Sequence, residues 1–132
     1  MMRYPLLAIF PAMALAMTLM AASVMARDRA SPALLSAQAA IDGAPDARLA
    51  GYLNFCITNA LAAHETATPL LDGLIRKTGA VRRDHSGNVD YAYGTAGVLH
   101  SETASVMRLT DFDIPERRAL CDRATKKAGA PS

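Results

Sequence analysis

The sequence predicts an all-α protein, a small bundle of four to five short helices whose first core helix and C-terminal helix are joined by one disulfide. Three observations point there. Apolar residues recur at helical spacing along "ARLAGYLNFCITNALAAHE". Ser, Asp, Pro and Gly stand where helices begin and end. The chain holds only two cysteines, Cys56 and Cys121, one on the strongest helical pattern and one on the weakest.

The first 26 residues are read apart from that bundle. Arg3 precedes an apolar run from Pro5 to Ala22, and small residues lead to the first charges at Arg27, Asp28 and Arg29. A charged start, an apolar middle and a small-residue exit make a secretory signal peptide, with Val24 and Ala26 at the small positions before the cut. Cleavage after Ala26 is the preferred reading, and cleavage after Ser23 is a second choice. The rival is an uncleaved anchor, because the uncharged stretch from Tyr4 to Ala26 covers 23 residues, and about 20 span a bilayer. Pro5 and Pro11 interrupt that stretch, and basic charge lies on both flanks. A periplasmic or secreted location follows from cleavage, and membrane association only from an uncleaved segment.

Removing residues 1–26 leaves 106 residues, a single-domain length. Six of the seven methionines leave with them, which removes a methionine-rich copper carrier from consideration. The remaining 13 basic and 12 acidic residues nearly balance, so neither nucleic acid nor a generally anionic membrane is an expected partner.

Residues 27–46 read as an N-terminal arm or short helix. Ser31 caps "SPALLSAQAAIDG", Pro32 opens it, Gly43 ends it, and Leu34, Leu35, Gln38 and Ile41 form a thin apolar side. Residues 47–128 form the stapled domain. Asp46 is the expected cap of the main helix, whose stripe is Leu49, Tyr52, Leu53, Cys56, Ile57, Ala60 and Leu61. In "TPLLDGLIRKTG", Thr68 caps, Pro69 enters, Arg76 and Lys77 fill the last turn and Gly79 stops. "AVRRDHSGN" is a polar loop.

"VDYAYGTAGVLHSE" fits either period. Val89, Tyr91 and Tyr93 alternate, while Val89, Ala92, Tyr93, Ala96 and Leu99 fit a helix. A lone strand has no evident mate, so helix is favoured, although Gly94 and Gly97 weaken one by up to ~1 kcal/mol each. Those glycines also permit close approach of another backbone. "SETASVMRLTDF" reads as a connector. Asp113 and Glu116 open the last helix at capping-box spacing, and Leu120, Cys121, Ala124 and Ala128 give it a narrow stripe. Residues 129–132 are a tail.

In an oxidising compartment an even pair of cysteines in a small domain is most economically a disulfide. A Cys-x-x-Cys redox centre and a haem-attachment motif are absent from the sequence. His64, His85 and His100 lie apart in sequence and none sits three or four positions from a cysteine, so zinc lacks its ligands and no cofactor is expected.

Along Arg48–Ala128, Gly51, Leu53, Phe55, Cys56 and Asn59 are followed by Tyr91-x-x-Gly94-x-x-Gly97, Leu99 and Cys121-Asp122. This order resembles the YjjA-like family of small exported proteobacterial proteins, a domain family of unknown function. The chain departs from it in the Arg82-Arg83-Asp84-His85 loop and the Ala/Lys-rich end. The resemblance implies export and a Cys–Cys pair, and supplies no activity and no catalytic residues.

Motifs for chemistry are thin. His64-Glu65 reads as a solvated end of the main helix rather than a general base. Asp84, His85 and Ser86 mimic a triad, but adjacent loop residues do not hold triad geometry. The expectation is a non-enzymatic binding or accessory module of the cell envelope. A membrane-tethered accessory subunit and an enzyme of unrecognised type are the alternatives, the latter calling for a concave site that gathers His64, His100 or Asp122. Arg117, Arg118, Arg123, Lys126 and Lys127, with Phe55 off the main stripe, mark a possible surface for an envelope protein or an acidic partner. Solvation of a helix end and a broad buried face are the plainer readings of the same residues. Tyr52, Tyr91 and Tyr93 are further candidates for such a surface.

Overall fold

The computed structural model describes residues 30–82, 87–100 and 106–131. The predicted signal peptide, Asp84, His85 and Ser86 of the predicted polar loop and the first part of the predicted connector lie outside the described residues. Helix α1 spans Pro32–Asp42, α2 Asp46–Thr58, α3 His64–Thr78, α4 Val89–Thr95 and α5 Ile114–Gly129. A two-stranded antiparallel sheet, β1 Val98–His100 and β2 Val106–Arg108, sits between α4 and α5 in sequence, followed by a 3-10 turn over Leu109–Asp111. The all-α class holds, with the sheet as a small addition.

Helix α2 is the centre, and α3, α4 and α5 each pack against it. Its stripe predicts this: Leu49, Tyr52, Leu53 and Cys56 are fully buried or nearly so, and Ala47, Ala50, Gly51 and Phe55 widen the buried face around the helix. Asp46 is the first helical residue rather than the cap, which is Pro45; there its carboxylate complements the helix dipole and meets Lys77 of α3 at 2.7 Å.

The main helix stops at Thr58, earlier than its apolar stripe suggests. Ala60 takes a left-handed φ of 56°. The Leu61 N–H bonds the Cys56 carbonyl and the Ala60 N–H bonds the Ile57 carbonyl, the paired closure that ends helices at a left-handed residue. Alanine tolerates this conformation less well than glycine. Ala60→Gly is therefore expected to stabilise the fold by up to about 1 kcal/mol; an unchanged or lower urea midpoint would contradict it.

That early stop moves His64 and Glu65 from the end of the main helix to the first turn of α3. The predicted start, with Thr68 as cap and Pro69 as first residue, is five residues late: the cap is Ala63, the helix begins at His64, and Pro69 lies in its second turn. Gly79 does end α3, in the left-handed region with φ 62°.

The tyrosine-glycine segment is both of the readings it allowed. It is helical through Thr95, turns at Gly97 (φ 70°) and then runs as β1. The strand's mate is Val106–Arg108, which the sequence presents as connector, in the register Val98↔Arg108, Leu99↔Met107 and His100↔Val106.

Helices α2 and α4 cross with their backbones in contact. A methyl group on Gly94 would stand 2.7 Å from the Gly51 Cα and against the Arg48 carbonyl; one on Gly51 would stand 2.6 Å from the Gly94 Cα. Such separations exclude any side chain, so the two glycines fix how closely the helices approach. Arg48 of α2 reaches Asp90 of α4 at 2.6 Å, while its buried Nε has no hydrogen-bond partner among the described residues. The fully buried Tyr52 hydroxyl donates to the Val98 carbonyl at 2.6 Å, tying α2 to β1. Burial pushes its pKa up to about 12, so this donor keeps its proton throughout the physiological range.

Candidate functional site

The two cysteines meet at the middle of the bundle. Cys56 and Cys121 form a disulfide with Cα atoms 5.8 Å apart, and both are fully buried. It lies where the stripe of α2 meets the narrow stripe of α5, beside Leu53 and Leu120 in the same core cluster. The staple predicted from cysteine number and compartment is present, joining the two predicted helices.

The basic residues of α5 divide into two groups. Arg117 Nε donates to the Leu109 carbonyl at 3.0 Å, and its Nη2 donates to those of Thr110 and Phe112, closing the 3-10 turn that leads into the helix. Arg123 forms a two-pronged bond to Asp42 at 2.8 and 2.6 Å. Lys127 Nζ donates to the carbonyls of Ile41, Asp42 and Ala44, matching its three ammonium protons to three carbonyls at and just beyond the end of α1. These three cations thus hold the chain to itself. Arg118 and Lys126 remain solvent-facing. Phe55 is 8% exposed and packs against Gly97, which places it in the core instead of on a recognition surface.

The same contacts build α1 into the domain, and the described residues from Ser31 onward form one compact unit. Its buried side is Ala37, Ala40 and Ile41, rotated from the predicted face, and Leu35 is 55% exposed. Lys127→Met is expected to release α1 at a loss of about 1.5 kcal/mol, with amide exchange in α1 accelerating well before that in α2; equal protection in both proteins would count against it. The Arg123 hydrogen bonds hold the Asp42 carboxyl below its ordinary pKa. Its stabilisation is therefore complete above the unfolded value near 4 and fades as pH falls through the lowered folded value. Because the pair is nearly half exposed, the effect stays below about 1 kcal/mol.

Two shallow surface grooves flank the bundle. One runs between α3 and the end of α5, lined by Pro69, Leu70, Gly73, Leu74, Ala128 and Pro131. The other, at the α2–α3 turn, gathers His64, Glu65, Arg118 and Asp122, and so contains two of the three residues an enzymatic reading asked for. His64 Nδ1 lies 3.4 Å from the Thr68 hydroxyl in the exposed first turn. Among the described residues that line this groove there is no serine, threonine or cysteine to serve as a nucleophile oriented by His64. His100 is elsewhere, edge-on to the Tyr93 ring with centroids 4.9 Å apart. Among the described residues no group of three or more His, Cys, Asp or Glu side chains is placed to hold a metal ion, and no helix is long and apolar enough to cross a membrane.

The fold and these surfaces define a small helical scaffold, closed on itself by one buried disulfide and by the basic side chains of its last helix. No family model matches the chain. It is 35% identical over 86 residues to the alcohol dehydrogenase 15 kDa subunit of Gluconobacter oxydans (strain 621H), a match spanning 65% of this chain and 64% of the relative. The chain thus spans slightly less than two thirds of that relative. This relationship corrects two expectations. The YjjA-like assignment does not stand, because the relative bears a different name and carries a function. The general envelope module of unknown role likewise gives way to similarity with a named subunit of an enzyme, which has a protein partner by virtue of being a subunit.

Proposed function

We propose that the chain is a non-catalytic accessory subunit of an alcohol dehydrogenase complex, exported across the inner membrane and held beside a larger catalytic chain. The observation that carries this is the 35% identity over 86 residues to a protein named as such a subunit. Export is supported by the signal-peptide pattern ending at Ala26 and by a structural disulfide, which persists in oxidising compartments. In this reading the protein contributes surface and rigidity, and the partner contributes cofactor, substrate pocket and chemistry.

The test is to tag the C-terminus in the native host, isolate the protein under non-denaturing conditions, and identify what accompanies it by mass spectrometry. An alcohol dehydrogenase catalytic chain in fixed proportion is expected, with a small subunit beginning at Arg27. Deleting the gene is expected to lower alcohol oxidation by envelope fractions, and adding back the purified chain to restore it. A protein that isolates alone, from cells whose alcohol oxidation survives the deletion intact, would overturn the proposal. An uncleaved mass would keep the subunit and replace soluble export with membrane tethering.

A further inference from the structure

We draw no further inference here: the strongest candidate, the exposed apolar patch that Val89 and Tyr93 of α4 form with His100 and Val106 of the two-stranded sheet, carries nothing because nothing in the structure shows what covers it.

Discussion

Replacing Cys56 and Cys121 together by alanine is expected to lower the free energy of unfolding by about 4 kcal/mol, the chain-entropy value for a loop closed by residues 65 apart. A domain of about 100 residues has roughly 5–15 kcal/mol in total, so the variant should be marginal at 37 °C. The loss should fall first on α5. Its buried apolar residues are Leu120, Cys121 and Ala124, too little area to hold a 16-residue helix by burial alone. Urea unfolding of the oxidised, reduced and double-alanine proteins measures this directly. Reduced wild type and the variant should unfold at similar midpoints, both far below the oxidised protein. A difference under about 1 kcal/mol would mean that Arg117, Arg123 and Lys127 hold α5 without the cross-link.

The second large effect concerns a single methyl group. Gly94→Ala is expected to destabilise by about 3 kcal/mol, the upper part of the range for overpacking, even though alanine is the better helix former by about 1 kcal/mol. The new Cβ meets main chain on the facing helix, and main chain cannot step aside as a flexible side chain does. Gly51→Ala should behave alike from the other side of the crossing. Gly73→Ala is the internal control. A methyl group there meets no atom within 4 Å, so only the propensity gain remains and stability should rise by about 0.5–1 kcal/mol. Opposite signs for Gly94 and Gly73 would establish the backbone contact; matching signs would remove it.

Much of the fold was legible because it rests on local rules. The stripe through Leu49, Tyr52, Leu53 and Cys56, the Ser31 and Asp113 caps and the Gly79 stop depend on neighbours a few positions away, and the sequence shows those neighbours. The departures all involve partners distant in the chain or a choice between competing local signals. Val98–His100 became a strand because Val106–Arg108 lies beside it in space, which no period within either segment announces. Arg123 and Lys127 of α5 looked like part of a solvated face because their acceptors, the Asp42 carboxylate and the carbonyls of residues 41, 42 and 44, are about 80 residues earlier. Phe55 lay off the ideal stripe, yet α2 is covered on several sides, and a helix covered that way buries more than one stripe. Gly94 could be read as a place where another backbone comes close, but nothing in the sequence names Gly51 as the residue it meets.

The candidate site was less legible than the fold, for a different reason. A catalytic triad or metal site leaves recognisable residue types at recognisable spacing, whereas a docking surface is made of ordinary exposed residues chosen to suit a partner. His64 and Asp122 do come to one groove, and only the three-dimensional arrangement separates that neighbourhood from an organised acid–base pair. The similarity to a protein named as a subunit came from comparison with another chain.

The buried cross-link also determines what a protease can accomplish. It joins residue 56 to residue 121, so a single cut anywhere between them opens the polypeptide without releasing either piece. A nicked molecule would keep its native mass on a non-reducing gel, apart from the water added at the cut, and separate into two bands once thiol is added. A cut between the two cysteines need not disassemble the protein, and the two halves would stay at high effective concentration for each other after the main chain is severed.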